Sequence, residues 1–373
     1  TRPAQILDLL QTKQADFQNF NELTYQLLQQ YRQVLTQLAT FEPNPATALV
    51  EPLDGTIDGI LPCQLQWQSR EESLDWVRQR LTGIATFCVD GSQIYPSKDI
   101  SIPVALVQIG WFENRHQPGG DYEKDVRLDL LTPNDLRETG GGMADRLVNM
   151  RRFQMETERL SEYMADHSQE PNRLVLMDGS LVATFAEAFD LDTQKFYANC
   201  LLRLLIASQI HQIPLVAYVD TSYAKDLTQL LHRWFGLPAV SSIHDAQLLN
   251  PKMAWGDRTP LFRCQRDILT RLYQDFQDQI GFTYLKTHEG YPARLEIPLW
   301  VYEAGRLDQV LDWVRGEVII GSGYPYGIET ADQVAVLKTD DRQLFYRILQ
   351  DWAHQEGLGL RLSRKMVSKV RRR

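Results

Sequence analysis

Ile84-Ala85-Thr86-Phe87-Cys88-Val89-Asp90-Gly91-Ser92 is the stretch on which the fold turns. A short run, apolar apart from one Thr, ends in Asp-Gly-Ser. Leu174-Val175-Leu176-Met177-Asp178-Gly179-Ser180 repeats the pattern. Continuous apolar runs bounded by turn signals mark strands buried on both faces. A third run, Leu215 to Val219, ends at Asp220. Between them the spacing predicts helices over about 143–166 and about 195–211. Ile100 to Phe112, rich in Val and Ile, reads as a strand or hairpin arm. Strands alternating with helices predict an α/β fold: a mixed sheet flanked by helices on both faces.

Outward from this core, apolar residues recur at helical spacing over about 4–40, from Ile6 and Leu9 to Val34 and Leu38. Pro43-Asn44-Pro45 breaks that N-terminal helical segment, and a short helix is expected over 73–81. Residues 113–122 and Gly140-Gly141-Gly142 read as loops. After Pro260 the expected order is a helix (264–276), strands (282–286 and 293–302), a helix (306–315), a loop (321–327) and a helix (329–337). The resulting organisation is a helical segment over 1–82, a central domain over 83–345, and a C-terminal helix with a basic tail over 346–373.

The chain has 373 residues, 43% of them apolar, enough for a substantial core. No apolar run approaches the roughly 20 residues of a membrane helix. The opening Thr-Arg-Pro-Ala carries no secretory h-region, so a soluble, cytoplasmic protein is expected. Cys63, Cys88, Cys200 and Cys264 are scattered, which predicts buried free thiols rather than disulfides or a zinc site. The formal net charge is −9, yet seven basic residues and no acidic ones fall between Arg361 and Arg373. Such a tail suits a phosphate backbone, or equally a partner protein or solvent.

The two strand-end aspartates carry the chemistry. The C-terminal ends of sheet strands are where α/β folds place ligands. If the strands are neighbours, Asp90 and Asp178 converge. Two carboxylates about 4 Å apart repel by roughly 4 kcal/mol at an effective dielectric near 20. A hard divalent cation relieves that repulsion and supports phosphoryl chemistry. The plainer alternative for each Asp-Gly-Ser is an ordinary turn. A third carboxylate comes from the helix before Asp178. Asn149, Phe153, Glu156, Leu160 and Tyr163 share one stripe, so Glu156 lies on the apolar side, while Glu158 shares a solvated face with Gln154 and Ser161. A carboxylate on an apolar stripe wants a partner: a metal, or a salt bridge to Arg152 or Arg159.

Taken in order, Phe-Cys-Val-Asp90-Gly-Ser-Gln-Ile-Tyr-Pro, Arg-Arg-Phe-x-x-Glu156 and Leu-Met-Asp178-Gly-Ser-Leu resemble the NurA nucleases. The likeness runs from about Ile84 to about Leu337 and is to the bacterial, cyanobacteria-like branch. It implies an RNase H-like core and a manganese-dependent site, with magnesium a possible substitute. It implies 5′-to-3′ exonuclease and single-strand endonuclease activity on DNA. It also implies a homodimer that docks on a HerA-type hexameric ATPase for end resection in break repair. Asp90, Glu156 and Asp178 match the family's metal carboxylates, and Tyr324 its late Tyr-Pro motif. Eight residues on, where the family usually has His, stands Asp332. Carboxylate also suits manganese, although it serves as a neutral-pH base only with a raised pKa. Lys225 resembles a family lysine suited to neutralising the scissile phosphate, with a plain surface lysine the alternative. Arg258 and Arg294 lie in segments resembling family ones and suit phosphates, or, for Arg294 with Glu296, an ion-pair network. A second reading keeps the same fold as a catalytically weak DNA-binding or adaptor subunit of the translocase.

Zinc-type His patterns, a P-loop, a dinucleotide fingerprint and a Gly-x-Ser-x-Gly elbow are all missing from the sequence.

Overall fold

The computed structural model describes residues 2–38, 50–137, 144–239, 241–361 and 363. The Pro43-Asn44-Pro45 break, the Gly140–Gly142 loop and the basic tail beyond residue 363 lie outside the described residues. In chain order the elements are α1 (Pro3–Thr12), α2 (Gln14–Leu35), β1 (Val50–Pro52), α3 (Arg70–Leu81), β2 (Ala85–Ile94), β3 (Ala105–Asn114) and β4 (Tyr122–Leu131). Next come α4 (Ala144–Asp166), β5 (Arg173–Asp178), α5 (Leu191–His211), β6 (Leu215–Val219), α6 (Asp226–Phe235), α7 (Asp245–Leu249) and β7 (Phe262–Cys264). The chain continues through α8 (Asp267–Leu272), β8 (Ile280–Leu285), β9 (Ala293–Pro298), α9 (Leu299–Glu303), α10 (Leu307–Ile320), α11 (Tyr326–Ala335) and α12 (Thr339–Gln355).

Two compact units interleave along the sequence, so the division differs from the consecutive segments read from the sequence. The larger comprises 67–218, 268–277 and 297–373, and the smaller 1–66, 219–267 and 278–296.

In the larger unit the strand order is β6-β5-β2-β3-β4. β2 pairs parallel with β5, and β5 with β6, while β2-β3 and β3-β4 are antiparallel. This is the expected mixed sheet. Leu174, Val175 and Leu176 are fully buried, as are Val216 and Ala217, in line with strands covered on both faces. Local signals set the helix starts. Ser69 caps α3 by accepting the Glu72 N–H, and Asp190 caps α5 by accepting the Thr193 N–H.

Four readings change. The strand containing Asp90 runs on to Ile94, because Asp90 to Ile94 stay paired with β3. β4 has no counterpart in the sequence reading. It alternates charged residues with Tyr122, Val126, Leu128 and Leu130, and no continuous apolar run announces it. Its charged side is held by ion pairs from α4: Arg151 to Asp129 at 2.6 Å, and Glu162 to Arg127 at 2.8 Å. The stretch 264–276 is not one helix: Phe262–Cys264 pairs with β8, and only Asp267–Leu272 is α-helical. The strand expected over 293–302 ends at Pro298, where the chain turns into α9.

The smaller unit has strand order β1-β7-β8-β9. Tyr31 and Leu35 at the end of α2 pack with Leu231 of α6 and Leu248 of α7. Its interior is charged. Arg294 is 1% exposed and donates to Glu296 at 2.8 Å and Asp226 at 2.9 Å. Asp226 also accepts from Arg266 at 2.9 and 2.6 Å, and the two arginines hold its carboxyl below the usual range against the upward push of burial. Removing one partner of a buried ion pair leaves the other charge uncompensated. We therefore expect Arg294→Met to destabilise this unit by about 3 kcal/mol, read as an earlier urea unfolding transition. A midpoint equal to wild type would show that the network contributes nothing.

Candidate active site

All five acidic and tyrosine candidates, Asp90, Glu156, Asp178, Tyr324 and Asp332, belong to the larger unit. Asp90 lies in the middle of β2, opposite Gly110 of β3, and its carboxylate accepts the Gly91 N–H at 2.8 Å. On its other side, Val89 pairs with Met177 in the parallel ladder, so Asp90 and Asp178 come next on adjacent strands. Asp178 is the last residue of β5 and is exposed. Asp332, in α11, lies close enough to Asp90 for its carboxyl to push the Asp90 pKa up.

Glu156 reaches the same place from α4. Its stripe faces inward, with Leu160 1% and Tyr163 2% exposed, whereas the Glu158 side chain is 38% exposed. Arg152 lies 3.3 Å from Glu156 Oε1, so the salt-bridge alternative is realised. That oxygen is nevertheless buried without a hydrogen-bond partner.

The two Asp-Gly-Ser glycines serve different purposes. Gly179 takes a φ of 117°, which only glycine adopts readily, and turns the chain sharply after Asp178. Gly91 is extended, but a Cβ there would run into Glu156 Oε1 and stand 2.6 Å from the Arg152 Cγ, so its smallness lets α4 approach β2. The serines are structural. Ser92 accepts the Leu337 N–H at 3.1 Å, and Ser180 bonds Val182 within its own turn.

Crowding of like charge marks the electrostatics. Burial raises the Asp90 pKa to about 6, opposed by the Gly91 N–H and reinforced by Asp332 and Asp178. Burial pushes Glu156 up to about 8; Arg152 opposes this, while the charges of Asp90 and Asp178 add to it. Carboxyl groups raised in pKa by burial and by one another are a frequent mark of functional sites.

Sequence reasoning missed Gly110. A Cβ on it would lie 2.6 Å from the Ala335 N and 2.8 Å from its Cα, so α11 packs on β3 with no room for a side chain. That close approach brings Asp332 to Asp90. The only sequence signal was an isolated glycine inside a strand pattern, which marks close backbone approach. Gly110→Ala is expected to destabilise by about 1–3 kcal/mol and to weaken activity through Asp332. Unchanged thermal unfolding of the variant would contradict the packing.

Tyr324 follows a tight loop, with Ser322 at φ 57° and Gly323 at φ 118°. Its ring stands edge-on to Tyr218 at 5.4 Å, and Tyr218 pairs with Asp178 in the ladder. The basic candidates all lie in the smaller unit. Lys225 is half-buried and donates to the Ser241 carbonyl at 2.6 Å. Arg294 takes the ion-pair alternative described above. Arg258 is 6% exposed and bonded to Asp54 at 2.8 Å. Both guanidinium groups are buried and paired with a carboxylate, so neither is presented to a phosphate.

The NurA domain model matches residues 85–337, more than half of the chain. The chain belongs to the NurA family. Comparison with curated proteins finds no match. NurA membership implies a nuclease associated with DNA end processing, with a DNA substrate and a partner ATPase. The match begins at the first residue of β2 and ends two residues beyond α11, so it contains every NurA candidate discussed above. No described helix is long and apolar enough to cross a membrane.

The donor set suits a hard divalent cation, since every candidate ligand offers carboxylate oxygen and one buried oxygen lacks a hydrogen-bond partner. As the side chains stand, no group of three or more His, Cys, Asp or Glu among the described residues is arranged to hold an ion.

Proposed function

We propose that the chain is a divalent-metal-dependent DNA nuclease in which Asp90, Glu156 and Asp178 hold Mn²⁺, with Mg²⁺ as a possible substitute and Asp332 as an accessory ligand. The observation that carries this reading is the convergence of carboxylates from β2, α4 and β5, with Asp90 and Glu156 both raised in pKa, inside the NurA match. A bound cation would polarise the phosphodiester and acidify a water. A bound cation would offset the burial and like charge that raise these two carboxyls, favouring their ionised forms. Arg152, 3.3 Å from Glu156, would restrain that side chain. Tyr324, braced by Tyr218, would position the scissile phosphate. Family membership supports the rest of the reading: an RNase H-like core, 5′-to-3′ exonuclease and single-strand endonuclease action, a homodimer, a HerA-type ATPase partner in end resection, and a cytoplasmic location.

One observation favours a second reading, a catalytically weak adaptor of the ATPase: Asp332 stands where the resemblance leads one to expect His. A single assay separates the two. End-labelled single- and double-stranded DNA is incubated with Mn²⁺, Mg²⁺ or EDTA. Cleavage with Mn²⁺ that EDTA abolishes is the result expected of the enzyme. Absence of cleavage from folded protein, alone and with the ATPase, would leave the adaptor.

A further inference from the structure

Glu317, in α10, is fully buried, and the chemistry described so far does not use it. Its Oε1 accepts from the Thr86 hydroxyl at 2.8 Å, and its Oε2 accepts from the Gly327 N–H at 2.8 Å. His116 Nε2 stands 3.1 Å from Oε1, an ion-pair distance, although its direction falls short of a hydrogen bond. The His116 backbone is strained, at φ 45°, and its Nδ1 is anchored 2.7 Å from the Ile84 carbonyl oxygen. Thr86 is itself fully buried. Gly327 lies so near β2 that a Cβ would meet Cys88 Sγ at 2.6 Å.

A carboxylate withdrawn fully from water is costly unless it is fully bonded. Here two hydrogen bonds and one ion-pair contact run to three separate stretches of chain, which makes the group a determinant of geometry. Thr86 lies four residues before Asp90 on β2. Gly327 lies in the first turn of α11, three residues after Tyr324 and five before Asp332. α11 is continuous helix from Tyr326 past Asp332, so whatever fixes its first turn against β2 also fixes Asp332 relative to Asp90.

We propose that Glu317 is a positioning residue for the nuclease site, tying the first turn of α11 to β2 through Gly327 and Thr86 so that Asp332 is held against Asp90. The inference rests on the reading of Asp90 and Asp332 as parts of one metal site. Small displacements of catalytic groups lower rates by about a hundredfold per ångström, so loosening this tie should lower turnover and weaken use of the cation while sparing DNA affinity.

The test uses full-length Glu317→Gln, Thr86→Val and Thr86→Ser. In Glu317→Gln, kcat should fall about tenfold and the Mn²⁺ concentration for half-maximal cleavage should rise about fivefold. DNA affinity measured with Ca²⁺ should stay within about twofold of wild type. Thr86→Val should shift both quantities in the same direction, and Thr86→Ser, which keeps the hydroxyl, should behave as wild type. Folded Glu317→Gln with kcat and Mn²⁺ dependence within about twofold of wild type would overturn the proposal. Should that variant fail to fold, equal activity of Thr86→Val and Thr86→Ser would overturn it. Should the wild type itself prove inactive, the nuclease reading fails separately and hydrogen exchange decides. Protection of amides 327–332 should then drop about tenfold in Glu317→Gln or Thr86→Val, and unchanged protection would overturn the tie.

Discussion

Asp178→Ala loses DNA cleavage by about a thousandfold or more while its melting temperature stays within about 2 °C of wild type. Asp178 is the last residue of β5, exposed, and followed by a glycine that turns the chain away. Truncating such a side chain opens no cavity and leaves the ladder bonds in place, so stability should barely change. Its charge is felt at Asp90 and Glu156, which places it with the other carboxylates. Removing one of a few carboxylate ligands weakens the hold on a hard cation and the positive charge offered to the phosphate, an electrostatic loss of several kcal/mol. Asp90→Ala should lose cleavage to the same degree. Since Asp90 lies mid-strand with its backbone paired to Gly110, a normal circular dichroism spectrum and melting curve must accompany that loss. Full cleavage by either folded variant would remove these carboxylates from the mechanism.

The second large effect is on stability, and its sign follows from the pH. Glu156 has a folded pKa of about 8 against an ordinary 4.5. A raised carboxyl pKa means that the folded state holds the proton more tightly than the unfolded state does. The neutral group is therefore tolerated in full below about pH 4.5, and stability is lost progressively as pH rises from there through about 8. At about 1.4 kcal/mol per pH unit the loss reaches several kcal/mol. Glu156→Gln cannot ionise and escapes it. Without divalent metal, the variant should melt about 3 °C or more above wild type at pH 8.5, and the difference should vanish near pH 5. With Mn²⁺ the order should reverse, because the cation stabilises only the protein that can hold it. A variant no more stable than wild type at pH 8.5 would show that Glu156 is satisfied by Arg152 alone. Stability given up for a strained charge cluster is a common accompaniment of activity.

Much of this architecture was legible in the residues. Leu174–Met177 and Leu215–Val219 are continuous apolar runs, and Ala85–Val89 is one apart from Thr86; such runs become strands covered on both faces. The stripe through Phe153, Leu160 and Tyr163 aimed Glu156 inward for the same reason, since helical period alone decides which side chains share a face. β4 escaped because its ladder bonds belong to the backbone, and its side chains, alternately charged and exposed, carry no burial signal. Arg258 and Arg294 were ambiguous for a related reason. An arginine suits a phosphate or a buried carboxylate equally well, and only the fold brings Asp54 to the first and Asp226 to the second.

The sequence by itself determined the buried strands, the inward face of α4 and the residue types at their ends, because burial and periodicity act locally along the chain. Tertiary structure alone decided that Asp90 lies within its strand, that Gly110 admits α11 and so brings Asp332 to Asp90, and that Glu317 joins Thr86 to Gly327. Each of these is a contact between residues far apart in sequence, and its geometry comes from how closely two backbones can approach, which no local pattern encodes.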